Sequence, residues 1–370
     1  MRASRTPINV AQKSSFRNAD GKLVLIAGPC SAESEEQMLK TAQQLKAING
    51  IQVFRAGIWK SRTRPNSFKG VGTVGLTWLA MVKKETGLRT SCEVANAQHA
   101  EEAMRHGVDV LTISGRATVN PFAMEEIASA LKGTAMPVLV NNPVYPDLGL
   151  WLGALERLNY AGITDLGVIN RGFAADEQYP YRSHPRWDHV LQLQELHPEL
   201  PILCDATHIA GRRSLLYPVS QKAVDLGADG LLFESHTCPA EALSSAQQQL
   251  MPQELDLLIN AIETKVKLDG TNHLVEQLDD LSQQMDSMDK ALVDLLLRRR
   301  EVSQKISLHQ MGDVQESLQI KRWQQELDAW LQRDDYTDMD SKFVKSLMEA
   351  LQQHRKDTQG GVGASSSAVA

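Results

Sequence analysis

The chain has four cysteines in 370 residues, Cys30, Cys92, Cys204 and Cys238, and no CxxC pair. They are too few and too scattered for a disulfide scaffold, so reduced thiols are expected, most of them buried as small hydrophobes. No apolar run reaches the roughly 18 residues that a membrane-spanning helix needs. Positive charge is not in excess: the formal net charge is −6, which gives no reason to expect a nucleic-acid or membrane-surface partner. The basic start "MRASRTPINVAQKSSF" lacks the apolar stretch of a secretory leader, so a cytoplasmic location is expected. Apolar residues make up 42% and charged residues 23%, an ordinary globular composition, and the length suits two domains.

What is present is a repeating alternation. Short apolar, β-branched runs begin at 22 ("KLVLIAG"), 51 ("IQVFRAG"), 89 ("RTSCEVA") and 109 ("DVLTIS"). Four more begin at 137 ("PVLVNN"), 165 ("DLGVIN"), 201 ("PILCDA") and 230 ("GLLFES"). Amphipathic, helix-length sequence follows each run. Strands that are apolar along their whole length and separated by helices imply a parallel sheet covered on both faces. Eight such units are the pattern of a (β/α)8 TIM barrel, with a doubly wound open sheet as the alternative.

After Ile262 the pattern changes. Residues 263–272 read as a polar linker. Beyond them, Leu274, Leu278, Leu281, Met285, Met288, Leu292, Leu295, Val302 and Ile306 recur at spacings of three and four, with one of seven before Val302, the seam of one long helix. Two further helical stretches, about 317–332 and 340–358, complete a small all-α domain. The expected organisation is an extension at 1–20, a barrel at 21–262, a linker at 263–272, a helical domain at 273–359 and a disordered tail at 360–370. The apolar seam is too long for one short neighbour to cover, and a homodimer or larger assembly through these helices is expected.

In a TIM barrel the chemistry sits at the C-terminal ends of the strands. There the sequence places Cys30, Arg55, Arg116, Arg171, Asp205, His208, Glu234 and His236, with Lys60 and Arg62 just after the second strand. Cys30, His208 and Glu234 come from three strands, and thiolate, imidazole and carboxylate together suit a divalent transition metal. A buried cysteine, a turn histidine and a surface glutamate with no mutual relation is the plainer alternative. Arg55, Lys60, Arg62, Arg116 and Arg171 converge on the same mouth. Such a cluster suits a phosphorylated, polyanionic substrate, the alternative being salt bridges to Glu33, Glu93 and other local acids.

These residues also carry a resemblance. "AGPCSAES", "FRAGIWKSRTRPNSFKGVG", "GRATVNP", "RGF", "CDATHIAGRR" and "FESH…ALSSAQQQL" resemble, in order, the type I 3-deoxy-D-arabino-heptulosonate 7-phosphate (DAHP) synthases. Residues 273–360 resemble an all-helical chorismate mutase fused behind the barrel. The resemblance implies condensation of phosphoenolpyruvate with erythrose 4-phosphate, assisted by Mn²⁺ or a similar divalent ion. It implies Cys30, His208 and Glu234 as metal ligands, and Arg55, Lys60, Arg116 and Arg171 on phosphoenolpyruvate. Lys60, Arg62 and Thr63 would grip the aldose phosphate, and Asn141 and Asp205 would complete the substrate site. His208 and the four phosphoenolpyruvate cations are the expected catalytic set. In the helical part Arg299, Gln319, Arg322 and Gln359 would face chorismate or prephenate.

The sequence departs from these families at several such positions. Ser245 stands where the synthases have an Asp metal ligand, Asn141 where they have Lys, and Asn170 where they have His before "RGF". "KPRT" has become "KSRT". In the mutase part Ser282 and Gln310 replace an Arg and a Lys, so mutase activity there is expected to be very low or absent. A non-catalytic regulatory homologue and an enzyme acting on a related phosphosugar are the competing readings.

Overall fold

The computed structural model describes residues 8–60, 66–175, 180–262, 291–299, 301, 302, 305 and 350. The chain divides into two compact units, Met1–Asn272 and His273–Ala370. In the first, all eight apolar runs form strands: β1 Val24–Gly28, β2 Ile51–Ala56, β3 Arg89–Val94, β4 Val110–Ile113, β5 Val138–Asn141, β6 Leu166–Asn170, β7 Ile202–Asp205 and β8 Gly230–Glu234. Each pairs in parallel with the next, and β8 returns to β1 to close the barrel. The open-sheet alternative is excluded.

Helices α1 Glu35–Lys46, α2 Val74–Thr86, α3 Ala97–Arg105, α4 Gly115–Thr118 and α5 Pro121–Leu131 lie between the first five strands. Then come α6 Leu148–Tyr160, α7 Trp187–Leu196, α8 Ala206–Ala210, α9 Leu216–Asp225 and α10 Pro252–Ala261. Their starts are written in the sequence. The side chains of Ser34, Asn96, Asn120, Asp147 and Asp205 each accept a hydrogen bond from a backbone N–H of the first turn they cap. Helix α1 turns Met38, Thr41, Ala42 and Leu45 inward, the spacing of one buried helical face.

The core has two layers. One lies between the strands and the helices. The other fills the barrel with Val24, Ile26, Val53, Val110, Leu139, Ile169, Leu203 and Leu232, and Phe16 joins it. Phe16 belongs to the segment expected as a simple extension, yet it is fully buried. Polar bonds fix it at the N-terminal end of the strands. Asp165, just before β6, accepts from the Ser15 N–H at 2.9 Å and the Ser14 hydroxyl at 3.2 Å. Asp229, just before β8, accepts two bonds from the Arg17 guanidinium at 2.7 and 3.1 Å. The opposite end of the barrel is left to the polar strand termini.

In the second unit residues 291–299 are helical, and Leu292, Leu295 and Leu297 are exposed. Arg299 is half-buried. Arg62, Thr63, Ser282, Gln310, Gln319, Arg322 and Gln359 lie outside the described residues, as do most of the expected long helix and the tail. Among the described residues no helix is long and apolar enough to cross a membrane.

Phe16→Ala leaves a void inside the barrel and is expected to cost about 3–5 kcal/mol of unfolding free energy. Equilibrium urea unfolding checks it; a change within experimental error would show that the Ser14, Ser15 and Arg17 bonds hold the segment without the ring.

Candidate functional site

The site is built from the seam where β1 meets β2 and β8. Gly28 ends β1 with φ of 151°, and a Cβ there would lie 2.0 Å from the Arg55 carbonyl oxygen. Only glycine permits this approach. It brings Arg55, on β2, close enough to donate from Nη1 to the Pro29 carbonyl at 3.0 Å and to Glu234 Oε1 at 3.3 Å. Glu234, at the end of β8, is completely buried. Its other oxygen accepts from Gln248 Nε2 at 2.6 Å, and its backbone N–H donates to the Thr207 hydroxyl at 2.9 Å.

Burial alone would push the Glu234 carboxyl upward, but the charges of His208, Arg55 and Lys60 outweigh it and hold the group well below the usual carboxylate range. Burial acts to lower the pKa of Arg55. Glu234, then Cys30, Asp205 and Glu93, reverse that and raise it. Lys60 curls back over the end of β1, and its Nζ donates to the Cys30 carbonyl at 2.5 Å and to Cys30 Sγ at 3.1 Å. The Cys30 N–H is held by Gln249 Oε1 at 2.9 Å.

His208 and Asp205 form a close pair on α8 and its cap. Asp205 Oδ1 caps the helix through the His208 N–H at 3.0 Å, and Oδ2 lies 2.6 Å from His208 Nδ1. Acting as acceptor there, Asp205 keeps a proton on Nδ1; Nε2 is then a second donor in the charged ring and an acceptor in the neutral one. Nε2 lies 3.8 Å from Glu234 Oε1. For Asp205, burial again acts upward, and His208 and Arg171 bring the carboxyl below its ordinary value.

On the other side of the mouth Arg171 Nη1 is 3.7 Å from Glu93 Oε2, and Asn141 Nδ2 donates to the same oxygen at 3.3 Å. Asn170 is buried and turned to backbone: its Nδ2 donates to the Pro185 carbonyl at 2.9 Å, and its Oδ1 accepts from the Gly172 N–H at 3.1 Å. It fixes the loop after β6 and takes no place at the mouth. Among the described residues Arg116 makes no ion pair.

Cys30, Arg55, Lys60, Arg116, Arg171, His208 and Ser245 line one cavity of about 150 Å³. The salt-bridge alternative describes Arg55 and Arg171. It does not extend to Glu33, whose carboxylate accepts from the Leu243 N–H at 2.8 Å and lies 3.7 Å from His236. Trp59, Glu93, Ser114 and Arg182 also line the cavity. They, with Gln248 and Gln249, were not singled out as site residues in the sequence. "ALSSAQQQL" carried the signal for the two glutamines, and the arginine had none.

As they stand, the residues do not fit a divalent metal. Among the described residues no group of three or more His, Cys, Asp and Glu side chains is brought together to hold one. Cys30 Sγ faces the Lys60 ammonium, and both oxygens of Glu234 are taken by Arg55 and Gln248. Ser245 brings a hydroxyl where a carboxylate would be needed. Its backbone has φ of 51°, a region that Asp enters more readily than Ser.

A closed parallel barrel whose strand ends surround one cavity with arginines, a lysine and a His–Asp pair defines a (β/α)8 protein suited to small anionic ligands. Comparison with known proteins narrows this. The DAHP synthetase I family matches residues 6–268, and the chain belongs to that family. A phospho-2-dehydro-3-deoxyheptonate aldolase of Thermotoga maritima is 30% identical over 254 residues, 67% of this chain and 73% of the relative. A 2-dehydro-3-deoxyphosphooctonate aldolase of Wolinella succinogenes is 28% identical over 280 residues, 65% of this chain and 98% of the relative. The crystal structure of the Thermotoga maritima DAHP synthase superposes with a TM-score of 0.59 at 29% identity, covering 65% of this chain and 68% of that one.

Two outcomes are expected. Glu234→Gln leaves the Arg55 guanidinium buried without its counter-charge and costs about 3–5 kcal/mol at neutral pH. Because Glu234 titrates lower folded than unfolded, its contribution is fully present above about pH 4.3 and is lost on acidification. Urea unfolding should therefore show the gap between wild type and variant narrowing below that pH. Ser245→Asp supplies the missing carboxylate and is expected to tighten Mn²⁺ binding about tenfold or more, read by electron paramagnetic resonance titration. An unchanged titration would remove Ser245 from the neighbourhood of any metal.

Proposed function

We propose that the barrel condenses phosphoenolpyruvate with a phosphorylated aldose, the four-carbon erythrose 4-phosphate being the substrate the family match favours. The observation that carries this reading is the convergence of Arg55, Lys60, Arg116 and Arg171 on one cavity beside the His208–Asp205 pair. In the reaction the methylene carbon of phosphoenolpyruvate bonds to the aldehyde carbon, and the aldehyde oxygen takes a proton. Water adds to C2, and the phosphate leaves with its bridging oxygen. Phosphoenolpyruvate is a trianion at neutral pH. Held by fixed guanidinium groups, it loses little freedom at the moment of attack.

The residues divide the work by depth. Arg55 is neutralised by Glu234 and sets the floor of the cavity. Arg116 and Arg171 lie nearer solvent, where a carboxylate and a phosphate can reach them. The Lys60 ammonium faces the developing alkoxide. In its neutral form His208, with Nδ1–H held by Asp205, takes a proton from the attacking water at Nε2. Asn141 keeps a hydrogen bond to Glu93 but brings no charge, so less positive charge faces phosphoenolpyruvate than a lysine would give.

Phosphate release from phosphoenolpyruvate measures the reaction directly. Release is expected with erythrose 4-phosphate, more slowly with the five-carbon arabinose 5-phosphate, and not without an aldose. Arg116→Ala should lower kcat/KM for phosphoenolpyruvate about a hundredfold. The opposite order of the two sugars would favour the octonate-forming relatives, and no release with either would overturn the proposal.

A further inference from the structure

The condensation gives Cys30 no task, although its thiol lines the cavity. Its surroundings differ from those of other buried thiols. Burial, then the charge of Glu93, pushes the Cys92 thiol up to about 12, and burial holds Cys204 well above its ordinary value. Both are inert core residues. Cys30 is only 2% exposed, but it lies on the wall of the open cavity, and Lys60 Nζ stands 3.1 Å from its sulfur.

That contact is built into the backbone. A Cβ on Gly57 would lie 2.2 Å from the Cys30 carbonyl oxygen and 2.8 Å from Lys60 Nζ, so the ammonium occupies the slot that a side chain would fill. The Gly57 carbonyl accepts from the Ala32 N–H at 2.9 Å and ties the chain beyond β2 to the chain beyond β1. The Lys60 N–H donates to the Lys69 carbonyl at 2.8 Å, and the Gly72 N–H donates to the Ile58 carbonyl at 3.2 Å. On the other side Gln249 Oε1 holds the Cys30 N–H at 2.9 Å. Nζ also donates to the Cys30 carbonyl at 2.5 Å, so it is anchored on the residue that carries the sulfur. Two reactive atoms held in contact by fixed backbone meet at a very high effective concentration.

We propose that Cys30 and Lys60 form an oxidative modification site, at which hydrogen peroxide leads to a covalent sulfenamide bond between Sγ and Nζ. The peroxide takes two electrons from the thiol: its O–O bond breaks, S–H becomes S–OH, and one water leaves. The Lys60 amine, having given a proton to water in the open cavity, attacks the sulfur with its lone pair. The S–O bond breaks, and the departing hydroxide takes a proton from nitrogen and leaves as a second water. No further oxidant is needed. Excess thiol reductant opens the bond by attack on the sulfur and returns both side chains. The link consumes the ammonium that faces the alkoxide in the condensation. It goes beyond the condensation reading and does not require it, because the bond is read from mass alone.

The test uses the full chain, reduced, freed of trace metal by chelation and treated with graded hydrogen peroxide. Remaining thiols are blocked with N-ethylmaleimide in denaturant, and proteolytic peptides are mapped by mass spectrometry with and without dithiothreitol. The peptides bearing Cys30 and Lys60 are expected to be joined, two hydrogens lighter than their sum, and to separate with dithiothreitol. Cys92 and Cys204 are expected to stay reduced. Phosphate release is expected to fall about tenfold or more as the link forms and to return with dithiothreitol. Lys60→Arg keeps a cation and is expected to give no link, its Cys30 passing on to the sulfinic and sulfonic acids. The wild-type map decides the matter alone should that variant not fold. A wild-type Cys30 that stays reduced, stops at the oxygen acids, pairs with another cysteine or carries an oxygen between sulfur and nitrogen overturns the proposal. A link that forms in a protein that never released phosphate overturns the condensation reading and leaves the modification site standing.

Discussion

The buried carboxylate of Glu234 is the constraint on which the mouth of the barrel depends. It ends β8 with no exposure to water, and its negative charge would be untenable there alone. Three cationic or polar neighbours from separate parts of the chain resolve it: Arg55 from β2, His208 from α8 and Gln248 from the segment beyond β8. Each is then committed to one geometry. Arg55 must also donate to the Pro29 carbonyl, Asp205 must hold the far side of His208, and Gln248 must present its oxygen outward. One charge that cannot be hydrated therefore arranges both the floor and part of the rim of the cavity.

The same economy explains the substituted positions. Asn170 spends its whole amide on the Pro185 carbonyl and the Gly172 N–H, so the loop after β6 is held by a neutral group without a charge at the mouth. Asn141 donates a hydrogen bond to Glu93 and brings no charge to the mouth. Ser245 is different in kind. It adopts a backbone conformation better suited to Asp or Asn and brings a hydroxyl to the cavity. The Lys60 ammonium beside Cys30 Sγ answers the thiol's electron density locally.

The eight strands were legible because a fully buried parallel strand has to be apolar along its length, and turn-rich amphipathic sequence has to separate it from the next. The positions of Arg55, His208 and Glu234 followed from the same count, since strand ends are where polar residues can appear in such a barrel. What stayed illegible had no period. Phe16 sits in a polar stretch where nothing marks one ring as buried. Arg182 lies in an irregular segment whose direction is set by Phe173, nearby in sequence, and by Ile209 and Gly211 beyond the next strand. The relation of Cys30 to His208 and Glu234 was also beyond reach, because strand position fixes where a side chain starts and not which neighbour captures its end.

The closure of β8 onto β1 has a consequence for how the protein comes into being. Gly28 pairs with Glu234, so the first strand to leave the ribosome finds one of its two partners only when the last strand has been made. Until then one edge of β1 is an open template, and the contacts that satisfy it are among the most distant in the chain. The groups at this seam come from both ends of the first unit: Cys30 with Gln249, Ser31 with Ser244, Arg55 with Glu234. No partly folded form lacking the final turn of the barrel can assemble the mouth. Ligand binding there would report that folding has run to its end, and the exposed edge of β1 marks the interval in which nascent chains would depend most on chaperones.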